Sequence, residues 1–183
     1  MDDIVRQAMA KWPNVPDCYG WLGLDARGNW CMRDDRVQAA GAFASGMPGA
    51  KGSVLRHEKL VDFIQRNYAA DAAGQWFFQN GPQRVFVELE ATPWIWRVDA
   101  DFSLQAHSGQ QVQYRSALLD EKGWLYLETS LGFGLVHTQD MERAAQALDA
   151  GAWLLGDTVA AAELPARYGY VTSPQARHMV PHL

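Results

Sequence analysis

The sequence predicts an α+β fold in which a mainly antiparallel sheet, built from hairpins and a meander, carries about three packed helices. Three observations predict it. Short strand-like runs are separated by turns that contain Asp and Gly, and helical periodicity is confined to a few segments. The connections between strands are also too short for repeated βαβ crossovers. The length of 183 residues suits one domain, residues 1–183.

Three segments have the apolar periodicity of helices with one buried face. The first covers roughly residues 4–12 and ends before a pair of prolines. The second runs from about Leu55 to Ala69, with Ser53 as its predicted N-cap. The third follows Thr138 and ends near Gly151, which suits the C-terminal end of a helix.

The remaining periodic segments are predicted strands, which pair as hairpins through short turns. The loop at residues 39–52 is rich in Gly and Ala, and we expect it to be the most mobile part of the chain. The tail, residues 153–183, is predicted to form short elements over the sheet edge. The predicted strands cover residues 18–24, 29–33, 75–79, 84–90, 94–98, 111–119, 124–129 and 132–137.

A short motif occurs three times, each time as an Asp-x-x-Gly turn just before a strand that opens with Trp. One interpretation is a duplicated sheet unit, with halves at about 18–100 and 101–183. The other is that this turn is common and Trp is a good strand residue. Under either interpretation we expect these tryptophans in the core. The copies are Asp25 to Trp30, Asp71 to Trp76 and Asp120 to Trp124.

Charge and composition exclude several classes of protein. The formal net charge is -5 and Lys and Arg are scattered, so no nucleic-acid partner is expected. No apolar run is long enough for a membrane span or a secretory signal, which predicts no membrane partner and a cytoplasmic location. Cys18 and Cys31 lack the spacing of a redox or zinc motif, so we expect two reduced thiols.

Few residues have the spacing of a catalytic or metal site. His57 with Glu58 and His137 with Asp140 pair a His with a carboxylate, but zinc needs three or four converging ligands, so no metal is predicted. Phosphate-binding loops and serine-nucleophile motifs are absent from the sequence, so no cofactor is predicted either. On one strand, Glu88 and Glu90 form either an acid/base pair or a solvated face.

The best binding candidates are Trp94, Trp96 and Arg97. Successive strand residues alternate between faces, so both tryptophans share one side. If this side faces solvent, it forms an aromatic platform for a ligand, a peptide or a second subunit. If it faces the interior, the two side chains are core.

Three segments resemble a conserved-hypothetical proteobacterial family, a domain of unknown function. In that family a Gly-Ser-x-Ile strand end leads into a Leu-Val-x-Leu-Phe helix, followed by a Val-Glu-Asp-x-Pro-Phe segment. Here Leu89 and Glu90 occupy the Glu-Asp region and Trp94 replaces Phe. The resemblance covers roughly residues 20–140 and implies a bacterial cytoplasmic protein with a sheet-rich fold, without an activity or catalytic residues. Its segments are 52–63, 74–77 and 87–94.

The sequence therefore leaves three hypotheses for function. The first is a non-enzymatic domain that binds a small molecule or a protein through Trp94 and Trp96, with the 39–52 loop as a lid. The second is an enzyme of hydrolase-like acid/base type whose catalytic residues are unknown. The third is a homodimer that associates through the aromatic face, as opposed to a monomer. Residues available to the second hypothesis are His57, Glu88, Glu90 and His137.

Overall fold

Twelve β-strands and six α-helices form within residues 1–179, the part of the chain that the computed structural model describes. The α+β class predicted from the sequence is therefore confirmed, but the expectation of about three helices is wrong. Three of the helices have only five or six residues, too few to show a helical period in the sequence. The helices are α1 (Asp3–Lys11), α2 (Asp35–Ala39), α3 (Glu58–Arg66), α4 (Met141–Asp149), α5 (Leu164–Tyr168) and α6 (Pro174–Met179).

The chain divides into two compact units, each with its own six-stranded sheet. Unit 1 comprises Met1–Asp25, Asn29–Glu90 and the chain from Tyr170 onward. Its strand order is β3-β2-β1-β6-β5-β4. These strands are β1 (Cys18–Leu24), β2 (Trp30–Met32), β3 (Ser53–Val54), β4 (Tyr68–Ala70), β5 (Trp76–Asn80) and β6 (Gln83–Leu89).

Unit 2 comprises Ala26–Gly28 and Ala91–Gly169. Its strand order is β10-β11-β12-β7-β8-β9. These strands are β7 (Trp94–Val98), β8 (Leu104–Ala106), β9 (Gln111–Val112), β10 (Tyr114–Leu119), β11 (Leu125–Thr129) and β12 (Gly132–Val136). Among residues 1–179, no helix is both long and apolar enough to cross a membrane.

Both sheets are mainly antiparallel, as predicted, but each is mixed because it contains one parallel pair that the sequence did not predict. In unit 1, β1 runs parallel to β6, and in unit 2, β12 runs parallel to β7. Every other pairing in the two sheets is antiparallel. The hairpins were visible in the sequence because their turns are local. The parallel pairs join strands far apart in the chain, where no turn signals the pairing.

Each sheet consists of two three-stranded meanders joined by its parallel pair. The order of unit 2, taken from its other end, is β9-β8-β7-β12-β11-β10. Adding six to each strand number of the unit 1 order, β3-β2-β1-β6-β5-β4, gives this same order. The two sheets therefore have the same topology.

Helix α3 starts later than predicted because Ser53 belongs to strand β3. The N–H of Leu55 donates to the carbonyl of Trp30 at 2.8 Å and extends the pairing with β2. The N-cap is His57, whose Nδ1 accepts from the N–H of Leu60 at 3.3 Å. Helix α3 packs on one face of the sheet, where Phe63 meets Phe78 edge to face with ring centroids 5.4 Å apart.

The loop at residues 39–52, predicted to be mobile, is bound to a buried arginine. Arg33 is 0% exposed, and its guanidinium donates to the carbonyls of Ala50, Gly20 and Gly41 at 2.8, 3.1 and 2.6 Å. The side chain of Phe43, within the loop, is also buried. Arg33 thus ties both ends of the loop to β1, which is a fixed arrangement rather than a free lid.

Candidate functional site

The structure places the predicted binding residues Trp94 and Trp96 in the core of unit 2. Trp94 is 7% exposed and Trp96 is 0% exposed, and their rings stack with centroids 6.0 Å apart. The indole N–H of Trp96 donates to the carbonyl of Leu127 at 3.1 Å. The two side chains are therefore core residues, the second of the two interpretations, and the indoles form no platform that faces solvent.

Arg97, the third predicted binding residue, belongs to an ion-pair network in unit 2. Its guanidinium pairs with Asp140, whose side chain is 3% exposed. The same carboxylate accepts from the N–H of Val98 at 3.1 Å and lies 3.5 Å from Arg143. Burial alone would raise the pKa of Asp140, but the Arg97 and Val98 hydrogen bonds outweigh it and lower the pKa. This arrangement fixes the start of α4 beside β7.

The four residues considered for acid/base chemistry each have a structural contact of their own. His57 caps α3, and Nδ1 of His137 accepts from the N–H of Gln139 at 3.1 Å. Glu88 is buried, whereas Glu90 pairs with Lys51 at 2.6 Å. Within residues 1–179, no group of three or more His, Cys, Asp or Glu side chains is placed to hold a metal ion.

An apolar groove in unit 1 is the strongest candidate for a functional site. It lies beside α3 on the sheet face, at the end where β5 turns into β6. Its volume is about 200 Å³. Its floor consists of the buried Leu22, Ile64 and Phe78. The complete lining is Trp21, Leu22, Met32, Leu55, Leu60, Ile64, Phe78, Asn80 and Val85.

Two large side chains form the exposed rim of this groove. Trp21 is 41% exposed and Met32 is 48% exposed. A bulge in β1 explains the position of Trp21: from Cys18 to Leu22, the register with β6 shifts, and Gly20 has a φ of +80°. Bulges break the alternation of a strand and redirect side chains. Here the bulge coincides with an indole that opens toward solvent in the middle of the sheet.

A known protein family matches nearly the whole chain. A family model named DUF2944, described as "Protein of unknown function (DUF2946)", matches residues 1–175. The chain belongs to this family. The resemblance to a domain of unknown function that the sequence indicated is thereby confirmed. No curated protein matches the DUF2944 chain.

A solved structure is also similar to this DUF2944 protein. It is the crystal structure of a DUF1285 family protein from Silicibacter pomeroyi DSS-3, with 11% sequence identity and a TM-score of 0.45. The similarity covers 80% of the present chain and 84% of the other.

A second apolar pocket of the DUF2944 protein lies in unit 2 and has a volume of about 190 Å³. Trp124, which is 40% exposed, belongs to its lining. It was expected in the core because it follows the same kind of turn as the buried Trp30, but Trp124 lies before β11 whereas Trp30 opens β2. The groove of unit 1 is the stronger candidate because two large exposed side chains line it and because it reaches an edge strand.

Glu88 makes the stability of the DUF2944 protein depend on pH. Its carboxylate accepts from Ser173 Oγ and from the N–H of Gln175 at 2.9 Å. Burial raises its pKa from the ordinary 4.5, while these hydrogen bonds and the charge of Arg33 act in the opposite direction. A raised native pKa means that the folded state holds the proton more tightly than the unfolded chain does.

We therefore expect wild type to lose stability relative to Glu88→Gln as the pH rises from about 4.5 through the raised native pKa. Below that window both proteins are neutral at this position, so the gap between them stays constant. The midpoints of urea unfolding of the two proteins, compared between pH 4 and pH 8, measure the effect. If wild type keeps or gains stability relative to Glu88→Gln as the pH rises through this window, the assignment is contradicted.

Proposed function

We propose that this DUF2944 protein is a non-enzymatic binding domain that receives one large apolar side chain of a protein partner in the groove of unit 1. The observation that carries the proposal is the exposed rim of Trp21 and Met32 above a buried apolar floor. Exposed apolar side chains at a concave site favour an interaction, because burying them in a partner removes their surface from water. The cytoplasmic location expected from the sequence belongs to the same proposal.

The size of the groove supports a side chain as its occupant. Its volume of about 200 Å³ is below the roughly 300–1,000 Å³ of ordinary small-molecule pockets. It exceeds the roughly 150 Å³ of a cavity that holds benzene. A branched aliphatic group or an aromatic ring therefore fits.

The chemistry of the lining supports a partner that brings its own polar backbone. Small-molecule sites combine apolar walls with several polar groups that fix the orientation of the ligand. Among the described residues that line this groove, the Asn80 amide and the Trp21 indole N–H are the polar side-chain groups. Orientation would then come from contacts of the partner's backbone outside the groove, as in peptide recognition.

Single side chains can test the groove directly. The N-acetyl amides of leucine, phenylalanine and tryptophan are suitable probes, with the alanine amide as the blank. Burying about 120 Å² of apolar surface yields about 3 kcal/mol, so we expect a Kd of roughly 1–10 mM. In methyl and amide NMR spectra, the expected shifts lie at Leu22, Leu60, Ile64 and Val85.

The variant Met32→Glu places a charge on the rim and should abolish these shifts while the fold is kept, because Met32 is half exposed. Leu154→Glu is the matched control, since Leu154 lies in unit 2 and is 77% exposed. Leucine amide shifts that are absent from the groove, or that survive in Met32→Glu, would overturn the proposal.

A further inference from the structure

We infer that the partner is an extended acidic segment, which adds as a strand to the outer edge of β3 and places its apolar side chain in the groove. The inference rests on the proposed function, since it specifies what the groove receives.

Strand β3 presents its outer edge to solvent. It is the last strand of its sheet, and both of its residues, Ser53 and Val54, are exposed. The N–H of Leu55 points to β2, where it donates to the carbonyl of Trp30. Successive residues of a strand direct their backbone groups to opposite sides, so the N–H and C=O of Val54 point away from the sheet. This pair of groups can receive an added strand.

The groove continues to this same edge. Leu55, directly after β3, belongs to the groove lining, and so does Met32, which is opposite Ser53 in the register of β2 and β3. An added strand would lie about 4.8 Å outside β3. Its side chains on the groove face would therefore lie next to Leu55. One added strand can thus form backbone hydrogen bonds and fill the groove at the same time.

The charges around the edge select an acidic partner. The chain has a net charge of -5, yet residues 51–59 contain Lys51, Arg56 and Lys59 against Glu58 alone. All four side chains are exposed. Lys51 is paired with Glu90, whereas Arg56 and Lys59 form no ion pair within residues 1–179. A local positive patch on an acidic protein favours an acidic partner and disfavours a basic one.

Four hexapeptides with capped ends separate the contributions of charge, of the apolar side chain and of the backbone hydrogen bonds to the binding. The acidic peptide is Ac-Glu-Thr-Glu-Leu-Glu-Thr-NH2, which alternates charges with residues of high strand propensity around one leucine. In the basic peptide Lys replaces each Glu, and in the blank Ala replaces Leu. The fourth is the acidic peptide with methylated backbone nitrogens, which cannot donate to a strand edge. Titrations by NMR give the Kd of each peptide for the full-length protein.

We expect the acidic peptide to bind at least about tenfold more tightly than the basic one at low salt, with a smaller ratio at high salt. The peptide with alanine in place of leucine and the N-methylated peptide should each bind at least about fivefold more weakly than the acidic peptide. Val54→Pro removes the outward N–H, and an edge strand tolerates proline at such a position. The variant should bind the acidic peptide about fivefold more weakly than wild type does. Arg56→Glu with Lys59→Glu should reverse the preference for charge.

The outcomes distinguish this inference from the proposal on which it rests. If the leucine amide binds in the groove but the acidic and basic peptides bind equally and N-methylation has no effect, strand addition by an acidic segment is wrong and the groove proposal stands. If no probe binds in the groove, the proposed function itself fails. A second copy of this chain as the occupant would appear as self-association that Met32→Glu abolishes, and that result also overturns the inference.

Discussion

Replacing Arg33 by alanine is expected to lower the free energy of unfolding by about 4 kcal/mol. Three carbonyls, those of Gly20, Gly41 and Ala50, would lose the arginine as hydrogen-bond donor, and the bonds to Gly20 and Ala50 are buried. Each buried acceptor without a donor costs about 1–3 kcal/mol. Removing a buried charge returns part of this cost, because burial disfavours the charged guanidinium and lowers the pKa of Arg33.

Urea unfolding measures the loss, and amide hydrogen exchange shows where it occurs. The residues of the 39–52 loop should exchange fastest in Arg33→Ala, because they lose both ends of their attachment. Arg36→Ala is the matched control: Arg36 is an exposed residue of α2, and its replacement should change the stability by less than about 0.5 kcal/mol. Similar midpoints for the two variants would contradict the structural role of Arg33.

The 39–52 loop shows why a composition can mispredict local order. Its Gly and Ala content indicates a flexible segment, and this inference uses only the residues of the loop itself. Its attachment comes from Arg33, which precedes the loop, and from a carbonyl of β1. Arg33 follows a short strand and precedes two aspartates, and nothing in this sequence indicates that its guanidinium turns inward, because burial of this kind is decided by tertiary contacts.

The burial of the predicted binding residues Trp94 and Trp96 likewise depends on tertiary contacts. The alternation of β7 correctly placed Trp94 and Trp96 on one face, but it could not tell which face is covered. Three consecutive residues of β7, including Ile95 between the tryptophans, are buried. Strands covered on both faces lose the polar alternation that would reveal their orientation.

The groove was missed because its exposed tryptophan depends on a bulge. A regular β1 would follow a simple alternation, and Trp21 was not among the predicted site residues. The signal available was Gly20, since a glycine inside a strand often marks a bulge. The roles of Leu22, Leu60 and Phe78 in the groove floor and wall follow only from where α3 lies over the sheet.

The shared topology of the sheets supports the proposal that the chain arose by duplication. The three Asp-x-x-Gly turns do form alike: Oδ1 of each Asp accepts from the N–H four residues later, at 2.8–2.9 Å. The turn between β7 and β8 corresponds to these three in the topology of the sheets. It is closed by the N–H of Asp99, which donates to the carbonyl of Ser103 at 2.9 Å. Phe102 occupies its glycine position with a φ of +66°, so the Asp-x-x-Gly pattern does not occur at this turn.

Gly134→Ala is expected to destabilise the protein by at least about 3 kcal/mol, at the upper end of the cost of overpacking. Gly134 is opposite Trp94 in the parallel pairing of β12 with β7. A Cβ at this position would lie 2.5 Å from the carbonyl oxygen of Trp94 and 2.6 Å from Nε1 of Trp96. The oxygen belongs to the backbone of a central strand and cannot move alone, so the strands must separate.

Gly151→Ala is the control for this variant, since nothing lies within 4 Å of its Cβ position and its cost comes only from a φ of +69°. That conformation costs an alanine about 1–2 kcal/mol. Combining Gly134→Ala with Trp96→Leu then separates the two clashes in urea unfolding. If the indole dominates, the double variant will be more stable than the sum of the single changes predicts; if the Trp94 carbonyl dominates, the changes will add. A Gly134→Ala protein no less stable than Gly151→Ala would show that β7 and β12 can separate at little cost.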